Sequence, residues 1–312
     1  MRHTIRHFFT TSPKVNQGPS RHVLTQITTL LCFGLFAISL PLTGQDQAPD
    51  AANADQGRVQ TTTLAYGADP NIKIVFKGRA GNLELNHSGE AGTGKTVTDY
   101  QKGSGYSDYD RERQTLKWET RIPYTLNRLS KHIQKTAPYM RAELPQGAEL
   151  DFQLRINSLG YGSLNFTDLN INRFRCNVSY GDVDISFPTE NRSIVRGQAK
   201  FRMLAGDLEL NQLGNLKADK IKINGGVGEL FVDFGPKIYL ETEVNLDMDI
   251  GNTELIFPKG THVRIRGTSR DLSPFDMVKK EEYWEPRVFH PSSPVLNIKA
   301  KGPLGDLVIT WK

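Results

Sequence analysis

The sequence is poor in the residues from which metal centres, staples and catalytic clusters are usually built. It holds two cysteines. Cys32 lies in an N-terminal leader, so Cys176 stands alone once the leader is removed. That excludes an internal disulfide and a cysteine cluster for zinc. Cys176 falls in the alternation Phe174, Cys176, Val178, the setting of a buried structural thiol. His87, His132, His262 and His290 are scattered, with no i, i+4 pair, and imply no metal site. A charge excess is missing too. The whole chain is +5, with 39 basic and 34 acidic residues. Residues 1–23 carry Arg2, Arg6, Lys14 and Arg21 and no acid, which leaves 35 basic against 34 acidic residues beyond them. A nucleic-acid binder should keep a basic excess in its own domain, so no nucleic-acid partner is expected.

Long apolar runs are scarce as well. The one conspicuous run, LLCFGLFAISLPL over residues 30–42, is thirteen residues long. It follows the basic leader and precedes small residues at Thr43 and Gly44. This order reads as a secretory signal peptide over residues 1–44. The alternative is an inner-membrane anchor over residues 23–42, of about 20 residues, which would contain Thr25, Gln26, Thr28 and Thr29. Membrane contact is expected only through this leader, if it is kept. Residues 45–69 are rich in Ala, Asp and Gln and read as a flexible spacer. Helical periodicity is confined to TLNRLSKHIQKTAPYM, where Leu126, Leu129 and Ile133 share a face and Pro138 closes the segment.

What the chain has in quantity is period-two alternation. LDFQLRI puts Leu150, Phe152, Leu154 and Ile156 on one face. VNLDMDI does the same with Val244, Leu246, Met248 and Ile250, leaving Asn245, Asp247 and Asp249 opposite. Such segments are half-buried strands. They belong to a repeat of glycine, a small polar or acidic residue, then apolar-x-apolar: GNLEL at Gly81, GSLNF at Gly162, GDVDI at Gly181, GDLEL at Gly206, GELFV at Gly228, GNTEL at Gly251 and GDLVI at Gly305. The central five start 19, 25, 22 and 23 residues apart, the signature of a solenoid whose units bury their apolar faces on one another. The glycine supplies a positive φ at a corner. Residues 268–294, with four prolines, read as an excursion before a last strand.

Gly89 to Thr96 read GEAGTGKT and satisfy the Walker A pattern. That pattern works only between a buried strand and a helix N-terminus. Upstream is the alternating GNLELNHS, and downstream VTDYQKGSGYSDYDRER has no helical stripe. A surface loop is expected, with no bound nucleotide. GGVGEL at Gly225 lacks the aspartate of the calcium-binding nonapeptide, since Leu230 stands there. The acids beside the corner glycines, Asp182, Asp207 and Glu229 with Asn252 next, would stack about one strand spacing apart, roughly 4.8 Å. They could form a cation or sugar column, but water-facing turn residues are the favoured reading, because like charges at that spacing repel.

From Ile72 onward the chain resembles the toast-rack and LiaF-like families and the putative-adhesin β-solenoids of bacterial envelopes. The resemblance rests on GNLEL, Trp118, the stretch ELPQGAELDFQLRINSLGYGSLNF, GDVDISFP, GELFVDFGP, GNTELIFPKGTHVRI and VLNIKAKGPLGDLVITW. It implies a β-solenoid, an envelope location and no catalytic residues. LiaF-like members act in envelope-stress signalling, but that family tends to carry several transmembrane helices and none follows residue 44. The expected molecule is therefore all-β: a single-domain, parallel β-helix-like stack of glycine-led strands over residues 70–312, with one short helix. Its expected role is a non-enzymatic, exported binding, adhesin-like or scaffold module, periplasmic or on the cell surface, whose partner is an envelope protein or glycan. No catalytic, cofactor or metal residues are assigned. The rival is a carbohydrate-active β-helix lyase or esterase, for which Asp182, Asp184, Asp207 and Glu209 are the dense acids on adjacent repeats.

Overall fold

Each repeat folds into one coil of a stack: a strand, a glycine corner, a shorter strand and a return loop. In the computed structural model, residues 59–65, 71–89, 93–99, 104–110, 112–121, 138–301 and 305–312 are described. The chain divides into two units, residues 1–47 and 48–312, and the described residues all lie in the second. The leader, and the helix expected from Thr125 to its close at Pro138, fall almost wholly outside the described residues.

Strands before the corner form one sheet and strands after it a second. In the middle of the stack, β8 (Asn170–Tyr180), β10 (Gln198–Ala205), β12 (Lys220–Val227) and β14 (Thr242–Ile250) pair in parallel and in chain order. The second sheet repeats this with β9 (Val183–Ser186), β11 (Leu208–Asn211), β13 (Leu230–Asp233) and β15 (Thr253–Phe257). Two long strands, β2 (Asn71–His87) and β7 (Glu149–Asn165), run through both sheets. Every second residue points inward, so Val183, Ile185, Leu208, Leu210, Leu230 and Val232 form one buried row per position. Rings stack along the axis: Phe166 on Phe187 at 5.4 Å and Phe234 on Phe257 at 5.2 Å. The return loops are sealed by buried asparagines. Asn191 accepts from the Ile171 N–H at 2.7 Å and donates to the Ile171 carbonyl at 2.8 Å, and Asn215 donates to the Phe187 carbonyl at 2.8 Å. The expected alternation of VNLDMDI fails at its last residue: Ile250, just before the corner glycine, is 47% exposed.

The corner glycines are stacked as well as turned. Gly181, Gly206, Gly228 and Gly251 have φ between 124° and 143°. A methyl group on any of them would overlap the carbonyl oxygen of the corner glycine one coil before it. The column begins at Gly160, which pairs with Gly81. The repeat read at Gly162 was therefore two residues late. Gly162 pairs with Val183 and takes the first inward strand position. With Gly160 restored, the corners lie 21, 25, 22 and 23 residues apart. GYG offers two glycines, and sequence spacing alone does not say which one stacks against Gly181; neither has a positive φ, and the chain stays extended through both within β7.

Both ends depart from chain order. At the start, β5 (Thr115–Arg121) and β6 (Tyr139–Leu144) lie outside β2, so the chain's first long strand is one coil in from the end. Antiparallel strands close this end: β4 (Ser104–Asp110) on β5, β3 (Thr93–Asp99) on β6, and β1 (Val59–Ala65) on β3. The spacer expected over 45–69 is thus shorter, because β1 pairs seven of its residues. Trp118 fills the space above Gly81 and meets Phe76 edge-on at 5.9 Å. At the far end, β19 (Val295–Lys301) inserts between β14 and β16 (His262–Arg266), and β20 (Leu307–Trp311) pairs with β15. The segment 268–294 departs from the stack as expected, but it also covers the core. Leu272 and Met277 are buried in it, β17 (Met277–Lys279) and β18 (Trp284–Pro286) form a hairpin on β16, and the Trp311 indole donates to the Phe275 carbonyl at 2.9 Å.

Candidate binding surfaces

The GKT of GEAGTGKT lies in a strand. Residues 93–99 form β3, hydrogen-bonded to β1 on one side and β6 on the other. Thr96 is buried and Lys95 exposed. The backbone groups of residues 93–99 are committed to ladders, the chain stays extended through Asp99, and among the described residues no helix N-terminus faces Lys95. The expectation of a surface loop is corrected for these residues. The geometry is not that of a phosphate cradle.

The corner acids have a structural task. The Asp207 N–H donates to the Asp182 carboxylate at 3.3 Å, the Glu229 N–H to the Asp207 carboxylate at 3.0 Å, and the Asp306 N–H to the Asn252 side-chain oxygen at 3.3 Å. Each polar side chain caps the next coil's corner. Burial against the corner raises the Asp182 pKa, the Asp207 N–H opposes that shift, and the Asp207 charge adds to it. Asp184 and Glu209 both accept from the Asn211 amide, at 3.2 and 2.9 Å. Burial, then the Glu209 charge, raises Asp184 against that hydrogen bond. Among the described residues none of Asp182, Asp184, Asp207 and Glu209 has a lysine or arginine ion-pair partner. They lie on an open corner and sheet face and do not enclose a bond to be broken.

The remaining candidates disperse. Cys176 is buried, and burial pushes its thiol up to about 12. His262 stacks on Phe289 at 4.0 Å. Burial lowers its pKa, with Arg264 acting in the same direction and Glu285 against it, so its 3.8 Å approach to Glu285 is not an ion pair at neutral pH. Among the described residues no three His, Cys, Asp or Glu side chains group closely enough to hold a metal ion.

Sequence inspection missed a division of charge between the two outer faces. On the second sheet the outward row runs Ser163, Asp184, Glu209, Phe231, Glu254, Val308. It holds three acids and no cation. On the first sheet the corresponding row runs Arg175, Lys200, Lys222, Asn245, Lys299, Arg266, on six neighbouring strands. All six side chains are exposed. Five are cations, none is an acid, and none of the five has an ion-pair partner among the described residues. The row ends at a recess of about 290 Å³ lined by Glu243, Arg264, Arg266, Glu282, Tyr283 and Asn297. Beyond residue 23 basic and acidic residues nearly balance, yet these two outward rows carry opposite sign. The signal was present in K-x-K and R-x-R spacings (Lys220 and Lys222, Arg173 and Arg175), but only the register sets them side by side.

The sequence matches no family model and no curated protein. Among solved structures, the chain is similar to a putative cell adhesion protein from Clostridium sporogenes, with 11% identity, 82% of this chain and 100% of that chain covered, and a TM-score of 0.36. It is also similar to a putative adhesin from Bacteroides fragilis, with 13% identity, 81% and 97% covered, and a TM-score of 0.34. A putative adhesin from Parabacteroides merdae aligns with 12% identity over 82% and 97% of the two chains, with a TM-score of 0.23.

Proposed function

We propose that this chain is a non-enzymatic, exported β-solenoid that acts at the cell envelope as an adhesin-like binding or scaffold module. The observation that carries the reading is the strand register. It holds outward side chains in straight rows along a rigid stack, which suits recognition of an extended partner better than turnover of a small one. The partner is an envelope protein or glycan, with no nucleotide or nucleic acid. Export and a periplasmic or surface location rest on the leader. The finer assignment, to the toast-rack and LiaF-like group with a link to envelope stress, rests on the glycine-led motifs. Incubation with envelope polysaccharides and chromogenic esters should release no reducing ends and no chromophore. Turnover that survives purification and is lost in Asp184→Asn or Glu209→Gln would favour the lyase or esterase instead. N-terminal sequencing of protein from the native envelope should start near residue 45, and a start at Met1 with detergent-only extraction would favour the anchor over residues 23–42.

A further inference from the structure

We propose that the outer face of the first sheet binds a linear acidic polysaccharide laid along the stack, an inference that rests on the binding-module reading and names its ligand class. The central row sets cations on consecutive strands at Arg175, Lys200 and Lys222, interrupts them once at Asn245, and resumes at Lys299 and Arg266. Neighbouring strands lie about 4.8 Å apart. A chain of uronic acids presents one carboxylate per sugar, and a sugar ring is comparable in length to that step. The row beside it runs Arg155, Asn177, Arg202, Asn224, Asp247, Lys301. It supplies three more cations, two amides and one acid. Amides between cations are what a sugar chain needs, since its hydroxyls want donors and acceptors beside the groups that meet its charge. All of these groups stand on strands of a packed stack, so the backbone spacing is set before a ligand arrives.

Other anionic partners fit less well. Neither row holds an aromatic side chain, whereas single-stranded nucleic acid is held by rings on which bases stack. A lipid surface gives its phosphates no fixed spacing and makes no use of the interleaved amides. A second copy of this chain could offer its acidic sheet, but that row has acids on two consecutive strands, then Phe231, then Glu254. It does not match three consecutive cations, and two of its acids already hold Asn211.

The test uses the full-length chain and four probes: polygalacturonate, its fully methyl-esterified neutral form, phosphatidylglycerol vesicles and oligo-dT. Affinity is measured at several salt concentrations for the natural chain, for Lys200→Gln with Lys222→Gln, and for a control, Lys95→Gln with Lys259→Gln. The control removes the same charge from exposed positions off the two rows. Thermal melts confirm that both double variants fold. Polygalacturonate should bind, weaken with salt, and lose about tenfold in affinity, or about 1.4 kcal/mol, in the Lys200/Lys222 variant. It should stay within about twofold in the control, since exposed changes elsewhere cost little. The neutral ester should not bind. Equal losses in both variants, tighter binding to vesicles or oligo-dT, or self-association broken by Lys200→Gln with Lys222→Gln in the absence of glycan binding would each overturn the proposal. Shortening of bound polygalacturonate would support the surface and overturn the non-enzymatic reading. Absence of both binding and cleavage would overturn the surface alone.

Discussion

The middle of the stack and its ends are built from the same strand chemistry under different constraints. From β8 to β15 the chain order is the spatial order, every pairing is parallel, and each coil is covered by its two neighbours. At the ends a coil has no neighbour to cover it. Antiparallel strands close the first end, and the hairpin of β17 and β18 closes the last. One strand near each end of the chain is drawn inside the stack, β2 within β5 and β6, and β19 within β16. An open parallel edge invites further strands. Drawing β2 and β19 inside and setting β5, β6 and β16 outside them gives both strands partners on two sides and protects them from fraying. A repeat therefore suffices for the middle, whereas an end requires segments that break it.

The comparison is broken most forcefully by a charge in the core. Ile185→Asp puts an unpaired carboxylate in a fully buried inward position between two coils. Its cost of several kcal/mol is comparable with the whole stability of a domain. Ile309→Asp on β20, which among the described strands pairs only with β15 and packs against the 268–294 segment, should be milder. Denaturant melts decide, and equal damage at both positions would mean that the stack does not end at β20. Next in size is Leu208→Ala, expected to cost about 2–5 kcal/mol through lost burial and a cavity, against at most about 0.5 kcal/mol for the exposed Glu209→Ala. Equal costs would remove the half-buried strand.

Gly206→Ala sharpens the corner argument. Gly206 and Gly197 both have positive φ, but only Gly206 has a neighbouring carbonyl where a methyl would go. Gly206→Ala should cost about 1–3 kcal/mol more than Gly197→Ala, and equal costs would reduce the glycine column to simple turn preference.

The smallest effect is in pH, and it has opposite signs in the two regions. The raised pKa of Asp182, in the middle, means that its contribution is fully present below the ordinary carboxyl value of 3.8 and is lost as pH rises through the folded value. Asp182→Asn keeps the oxygen that caps the Asp207 N–H, as Asn252 does for Asp306, and should flatten that loss. The lowered pKa of His262, at the far end, means that its contribution is present above 6.5 and is lost as pH falls below that value toward the folded pKa. His262→Gln should flatten this second limb. Melts from mildly acidic to neutral pH check both, and limbs unchanged by these substitutions would show that other groups set them.

Much of the middle was legible before any coordinates. Leu150, Phe152, Leu154 and Ile156, like Leu208 and Leu210, are buried where their parity placed them, because a strand's period of two is a local property. Gly181, Gly206, Gly228 and Gly251 turn corners because no other residue takes that backbone conformation cheaply. The miss at Gly162 came from GSLNF, which satisfies the local rule, whereas Gly160, followed by Tyr161 and Gly162, does not, although it is the one stacked against Gly181. The strand at residues 59–65 was missed because VQTTTLA has little apolar alternation and is held by pairing with β3. Ile250 is exposed although Ala205, in the same register position before Gly206, is buried, so the position next to a corner is not fixed by parity alone.

By itself, then, the sequence determined the strand faces, the corner residues and the near-constant coil length, since each follows from a few neighbouring residues and their backbone preferences. Tertiary structure alone decided which glycine begins the column, where β2 and β19 insert, and that an almost neutral composition sets a basic row on one sheet and an acidic row on the other. These depend on which coil lies beside which. Arg175, Lys200 and Lys222 are 22 or more residues apart in the chain and become neighbours only through parallel pairing in register.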